Sequence, residues 1–380
     1  MKITGDWLTR PATQTLCDAV LAGGYRIFFV GGCVRNAVLG EPVGDLDLAT
    51  DALPEHVIHL MEAAGFKAIP TGIDHGTVTV LAGGIPHEIT TFRHDVQTDG
   101  RRAVVAYSSD LAQDAARRDF TMNALYADPA GEVVDPLGGL QDLLARRLRF
   151  VGEPAQRIRE DYLRVLRFFR FSATYGDPAL GMDADALAAC AELADGIDAL
   201  SRERIGAEMR KLLAARDPAP ALASMAASGV LRHVLSGADP RYVAPLVHVE
   251  AEMPPRWQRR LVVLGGQDWA DALRLSRSEQ GLMARLRDQS GGSLSPAALG
   301  WKLGAEAGAD ALLARAALLE SPLPNQWQED VARGTASRFP VTAADLMPQL
   351  IGPALGAKLA LLEGRWLASD LRLTRDDLLA

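Results

Sequence analysis

At 380 residues, with 48% hydrophobic and 23% charged side chains, the chain has the composition of a globular protein of two or three domains, which excludes a collagen-like, low-complexity or small disulfide-stapled molecule. Its net charge of −8 argues against indiscriminate nucleic-acid binding, which rests on a basic excess that displaces counterions from phosphates. No charge-free apolar window approaches the ~20 residues needed to cross a bilayer, and Asp6 stands where a secretory signal would carry its apolar run, so a soluble cytoplasmic protein without membrane contact is expected.

Residues 1–149 alternate strand-like and helix-like patterns, whereas the rest is rich in Ala, Leu and Arg at helical spacing. The fold class expected is therefore α+β, a mixed sheet with helices followed by an all-helical remainder. Tyr25 to Val30 reads as a buried strand running into Gly31-Gly32, and Cys33 to Leu39 as a helix stopped by Gly40. Asp45 to Ala49 is a second strand, and Asp51 and Pro54 open an amphipathic helix that ends at Ala64. Thr77 to Leu81 and His87 to Phe92 flank Ala82-Gly83-Gly84 as a hairpin. Helices follow at 156–173, 183–195, 201–215 and 218–228. Cys17, Cys33 and Cys190 lie far apart with no CxxC spacing and read as reduced packing residues.

In Asp45-Leu46-Asp47-Leu48, side chains two apart on a strand share a face, so both carboxylates project together while the leucines enter the core. Two unpartnered carboxylates repel unless a cation sits between them, and hard oxygen ligands suit Mg²⁺. The plainer reading is a solvated strand end. The turn Gly31-Gly32-Cys33-Val34-Arg35 lets phosphate oxygens approach the backbone at a helix N-terminus, with Arg35 as an added cation; alone, it is also ordinary punctuation. Glu88 on the third strand offers a further carboxylate, or is simply a strand-edge glutamate. The run Arg117 to Leu125 alternates cations, an acid and hydrogen-bonding side chains around Phe120 and Met122, a credible wall against ribose and phosphate with Arg118 on the phosphates, or else a turn.

From Arg146 to Arg170, eight arginines face three acids, a local basic stretch able to hold an anion. Read as one helix, Asp161, Arg164, Arg167 and Arg170 form an oblique polar row. An acceptor beside donors matches the amino group and ring nitrogen of cytosine and adenine, and mismatches uracil and guanine; the plainer reading is a surface ion pair on a solvated face. Arg256, Trp257, Arg259 and Arg260 either touch phosphates or form a solvated basic helix face.

Taken jointly and in order, Gly31-Gly32-x-x-Arg35, Asp45-x-Asp47, Arg117 to Leu125, Asp135-Pro136-x-Gly138-Gly139-x-x-Asp142-Leu143, Glu160-Asp161-x-x-Arg164 and Glu203-Arg204-Ile205 resemble the class II tRNA nucleotidyltransferases, the CCA-adding enzymes, whose relatives include the bacterial poly(A) polymerases. The resemblance is strong over residues 25–215. It implies a polymerase-beta-like catalytic head (1–149), a helical neck with the base-recognition helix (150–235) and a helical body and tail that binds tRNA (236–380). It implies Asp45 and Asp47 as Mg²⁺ ligands, Gly32 and Arg35 as triphosphate contacts, Arg118 as a nucleotide contact, and Asp161 and Arg164 as an amino-acid template for CTP and ATP. Arg167 and Arg170 stand beside them, and Glu203 and Arg204 match a neck motif that braces that helix. Asn36 departs from the Asp common after the family's Arg. Pro70 to Val78 resembles the CCA-adding members, which favours tRNA as primer over a poly(A) polymerase or a specialist adding only CC or only A; a non-catalytic RNA-binding relative is the reading from another class. No protein partner is inferred.

Overall fold

The apolar run after Arg26 forms β1 (Ile27–Val30), and the alternating leucines and acids after Gly44 form β2 (Leu46–Thr50), in the computed structural model, which describes residues 1–99 and 102–380. β3 (Lys67–Gly72), β4 (Thr77–Ala82) and β5 (Ile85–Thr91) follow, then β6 (Arg93–Asp99) and β7 (Arg102–Tyr107), which pair only with each other, then β8 (Tyr126–Ala127) and β9 (Val133–Val134). The main sheet has the order β3-β4-β5-β2-β1-β8-β9. β2 and β5 are its parallel pair, with Asp47 opposite Glu88, and the other neighbours are antiparallel. This is the mixed sheet expected. Leu46 and Leu48 are buried as the period-2 pattern requires, and Val30, Ala49, Phe92, Ala124 and Tyr126 share one core cluster.

Two local readings are corrected. The helix Pro54–Ala63 starts without a side-chain cap, because Asp51 instead accepts hydrogen bonds from Arg26 N (2.7 Å) and Nε (2.8 Å). The single helix expected over 156–173 is two, Pro154–Glu160 and Leu163–Tyr175. Between them Asp161 is extended (φ −155°, ψ 106°), and its Oδ1 accepts from Leu163 N at 3.1 Å. A short acid that can bond the backbone two residues on offers an alternative to the helical ladder, and here that alternative wins.

The chain forms two compact units, Met1–Leu200 and Ser201–Ala380. The second is helical, from Arg202–Leu213 and Ala219–Ala227 onward, and its last segment packs Trp366 against Trp301 and Phe339. Within it the expectation for Arg259 and Arg260 is overturned: they are 0% and 2% exposed and neither solvated nor on a surface. Arg259 binds Glu250 and Asp310, Arg260 binds Glu250 and the carbonyls of Leu213, Ala215 and Arg216, and Arg256 binds Asp310 and Glu306. Desolvated guanidinium groups require such acceptors. Among the described residues no helix is long and apolar enough to cross a membrane.

Candidate active site

The turn between β1 and the helix Gly32–Leu39 is the centre of the site. Gly31 has φ 70°, which L side chains resist, and its N–H donates to Leu125 O at 3.1 Å. No side chain caps the helix that follows, so its first N–H groups are left for another acceptor. A Cβ on Gly31 would stand 3.6 Å from Arg118 Nη1, and one on Gly32 would stand 3.7 Å from Arg35 Nη2. Two guanidinium groups thus flank the turn.

Each is held differently. Arg118 donates through Nη2 to Asp114 Oδ2 (3.0 Å) and through Nε to the Tyr126 hydroxyl (3.1 Å), which leaves Nη1 toward Gly31. Burial alone would raise the Asp114 carboxyl, but Arg118 and Arg117 beside it, with the Tyr126 hydroxyl, bring it down to about 2. A carboxyl lowered from its free value of 3.8 contributes stability that is present above that value and lost as pH falls through about 2. In urea titrations the stability gap between wild type and Asp114→Asn should therefore shrink between about pH 5 and about pH 2; a gap that stays constant would refute this assignment.

Arg35, 7% exposed, donates to Asn123 Oδ1 (2.5 Å), the Tyr175 hydroxyl (2.7 Å) and Asn36 Oδ1 (2.9 and 3.2 Å). Asn123 donates in turn to Asp119 Oδ1 (2.9 Å), and Arg167 Nε donates to Asp119 Oδ2 (2.7 Å). Burial would raise Asp119, but Arg167 and Asn123 hold it below the usual carboxylate range. The Phe171 ring lies 4.2, 5.1 and 5.2 Å from the guanidinium carbons of Arg170, Arg167 and Arg35. The fold thus gathers Arg35, Arg167 and Arg170 around one aromatic ring. Asp119 and Asn123 come from the run Arg117 to Leu125, and the Asp135 motif supports it: Asp135 accepts from Gly139 N and Leu140 N, and Asp142 accepts from Thr121 Oγ1 at 2.8 Å. Phe171 and Tyr175 went unread as site residues. Their aromatic character sat in an apolar helix face, and only their partners, distant in sequence, mark them.

At the acidic pole, Asp47 faces Glu88 across the parallel pair and Asp45 directly precedes β2. Asp45 and Glu88 are exposed and Asp47 is half-buried. The Asp47 carboxyl is pushed up by burial and by the Glu88 and Asp45 charges, and Arg118 pulls it partly back, so both poles lie within electrostatic reach. Among the described residues no three His, Cys, Asp or Glu side chains form a ready metal cage. Mg²⁺ does not ask for one, since it takes one or two carboxylates and completes its shell with water and phosphate oxygens. A carboxylate strained upward by two like charges fits that need.

The polar row expected on one helix is corrected in part. Arg164, Arg167 and Arg170 lie on Leu163–Tyr175, whereas Asp161 has left it. Arg164 is paired with Glu160 Oε2 (2.6 Å) and donates to the carbonyls of Arg157 (2.9 Å) and Arg117 (3.1 Å). The basic stretch is also locally balanced, with Arg149 on Asp142, Arg157 on Glu160 and Arg167 on Asp119. Glu203, from the expected neck motif, meets Arg274 at 3.2 Å within the second unit.

The Poly A polymerase head domain matches residues 27–149, and the probable RNA and SrmB-binding site of polymerase A matches residues 180–241. The CCA-adding enzyme of Geobacillus stearothermophilus is 34% identical over 335 residues, 83% of this chain and 79% of that protein. That of Streptococcus gordonii is 35% identical over 280 residues, 71% of this chain and 68% of that protein. Of several other curated relatives that it matches, the chain spans about half the length. Among solved structures, the Bacillus stearothermophilus CCA-adding enzyme in complex with CTP superposes with a TM-score of 0.75 at 29% identity, covering 94% of this chain and 93% of that one. With a nucleotidyltransferase sheet, a glycine turn flanked by two arginines and a carboxylate pair in the register found here, the chain belongs to the family of the CCA-adding enzymes.

Proposed function

We infer that the protein adds C, C and A to the 3′ end of tRNA from CTP and ATP in the cytoplasm, without a nucleic-acid template and with release of pyrophosphate. The observation that carries this reading is the uncapped turn at Gly31-Gly32, flanked by Arg35 and Arg118, with Arg118 within electrostatic reach of Asp47, which faces Glu88 across the strand pair. An anion cradle beside a cation site is what a nucleoside triphosphate bound with Mg²⁺ requires. The primer's 3′ hydroxyl loses its proton to water as its oxygen bonds to the α-phosphorus of the nucleotide, the bond from that phosphorus to the oxygen bridging to the β-phosphate breaks, and pyrophosphate leaves. Asp45 and Asp47 would hold Mg²⁺, which supplies positive charge to the reacting phosphate and hydroxyl, with Glu88 at the same pole. The backbone at Gly31-Gly32, Arg118 and Arg35 hold the triphosphate, while Arg167 and Arg170 line the same side around Phe171.

Base choice falls to Asp161 and Arg164, an acceptor and a donor matched to cytosine and adenine. Glu160 and two carbonyls hold Arg164 from behind and fix its direction, so its donors need no reordering when a base arrives. Purified protein should extend tRNA ending before CCA with CTP and ATP and reject UTP and GTP. Extension with ATP alone into a long tail would replace this reading with a poly(A) polymerase. In Asp161→Asn discrimination against UTP should fall roughly tenfold, since rejection rests on buried polar groups left unpaired at about 1 to 3 kcal/mol each. Arg164→Ala should lower CTP and ATP use together. Wild-type preference in both variants would remove these side chains from base reading.

A further inference from the structure

Asp161 and Arg164 stand on either side of a joint in the chain. Asp161 is extended where the helix Pro154–Glu160 ends, Tyr162 returns to helical geometry (φ −61°, ψ −17°), and the next helix starts at Leu163. Arg164 is held from the first helix, by Glu160 and the Arg157 carbonyl, whereas the direction of the Asp161 carboxylate is set by the joint itself. The angle of the joint therefore decides how acceptor and donor stand to one another. Sequence spacing favours closing it, because the apolar period runs on from one helix into the next. The bond from Leu163 N to Asp161 Oδ1 opposes closure on one side.

A second restraint lies on the other side. The Tyr162 ring rests on the backbone of Gly196, so closely that a Cβ built there would overlap Cδ1 and Cε1 of the ring and stand 2.5 Å from Cγ. Gly196 belongs to the short helical turn Ala194–Ala199, which follows the helix Ala184–Glu192 and is anchored by the buried Ala194 and Ile197. Its φ lies outside the left-handed region, so the position calls for the missing side chain and not for glycine's backbone freedom. Alanine in such a turn is ordinarily stabilising. Here the three atoms nearest its Cβ would all belong to Tyr162. Turning Asp161 to helical dihedrals would swing the start of Leu163–Tyr175 and carry the ring out of this seat.

We propose that the Tyr162 ring seated on Gly196 locks this joint, and that Tyr162 and Gly196 are thereby positioning residues for base choice, holding the Asp161 acceptor in register with the Arg164 donor. The proposal rests on the base-reading role given above to Asp161 and Arg164, and adds what keeps the two groups aligned before a base arrives. In the pattern Glu160-Asp161-x-x-Arg164 position 162 is open, so the lock is a device of this chain's own residues. Arg167, one turn further on, stays tied to Asp119. A loosened joint therefore moves the first turn of the helix and leaves the triphosphate side in place.

The test uses the full chain with Gly196→Ala, Tyr162→Ala and Tyr162→Phe. On tRNA ending before CCA, the ratio of kcat/KM for CTP to that for UTP should fall roughly tenfold in Gly196→Ala and in Tyr162→Ala, while Tyr162→Phe, which keeps the ring, holds the wild-type ratio. The inhibition constant of inorganic tripolyphosphate, which has neither base nor ribose, should stay within about twofold of wild type in all three. Without the ring the added methyl has nothing to strike, so Gly196→Ala combined with Tyr162→Ala should lose no more than Tyr162→Ala alone. Losses that multiply, a tripolyphosphate constant that rises as the ratio falls, or a lower melting temperature in Gly196→Ala with the ratio unchanged overturns the proposal. If Gly196→Ala does not fold, the same ratio in Tyr162→Ala against Tyr162→Phe decides it. If Asp161→Asn and Arg164→Ala keep the wild-type preference, the base-reading role fails instead, and hydrogen exchange at the Leu163 amide still decides the lock. Faster exchange in Gly196→Ala and Tyr162→Ala than in wild type and Tyr162→Phe supports it; equal exchange refutes it.

Discussion

Asp47→Ala and Asp45→Ala should each lower nucleotide transfer by at least about a thousandfold, while binding to tRNA stays within a few-fold of wild type. The magnitude follows from the cation: charge stabilisation by a bound metal contributes several kcal/mol, and each ~1.4 kcal/mol is tenfold in rate. The fold should survive, because β2 is anchored by Leu46 and Leu48, buried on the opposite face, and Asp47 is only half-buried. Removing either carboxylate also relieves the repulsion now pushing the Asp47 carboxyl up, so stability should hold or rise slightly as activity is lost. Glu88→Gln separates two roles for the third carboxylate. If Glu88 shares the cation, transfer falls as it does for Asp47→Ala; if it only shapes the local field, transfer changes by less than about tenfold. Turnover within about tenfold of wild type in Asp47→Ala would sink the metal assignment.

Local patterns made the acidic pole readable. Leucines at 46 and 48 enter the core, so the acids at 45 and 47 share the other face, and that inference needs only the period of a strand. The glycine turn was readable for a similar reason: an apolar run ending in two glycines before a helix has few other uses. β3 was not read. It contains Pro70, carries no fully buried side chain and shifts register between Ile69 and Gly72, so neither alternation nor composition marks it. The break at Asp161 was hidden because the apolar periodicity continues across it, while the competing bond from Leu163 N to Asp161 lies outside any period.

The partners of the arginines were out of reach in a different way. Arg118 and Asp114 are four residues apart, and a helical reading can find them. Asp119 and Arg167 are 48 apart, and Arg35 and Tyr175 are 140 apart, so their pairing is decided by how strands and helices assemble. The same holds for Arg259, whose second acid, Asp310, lies 51 residues away. An arginine pair on a helix reads as solvated until those acids are placed, since burial of unpaired guanidinium is the costlier alternative.

Glu250→Gln should be the most destabilising single change in the second unit. Glu250 is 2% exposed and accepts from Arg259 Nε at 2.7 Å and from Arg260 Nη2 at 2.7 Å and Nε at 3.1 Å. Arg260 in turn donates to Leu213 O (2.7 Å), Ala215 O and Arg216 O (3.0 Å), the carbonyls left unbonded where the helix Arg202–Leu213 ends. Glu250 thus holds in place the side chain that closes that helix. Glutamine keeps the shape and removes the charge, leaving Arg260 with carbonyls alone and Arg259 with Asp310, which Arg256 already shares. Removing one partner of a buried ion pair costs about 3 to 5 kcal/mol, because the remaining charge stays desolvated. For a unit the size of Ser201–Ala380 this corresponds to a melting temperature roughly 10 °C lower. Calorimetry of the full chain should show that loss in one transition, with any transition of Met1–Leu200 unmoved. A loss below about 1 kcal/mol would mean that the protein relaxes to hydrate the two arginines, and that the network does not hold the end of the helix.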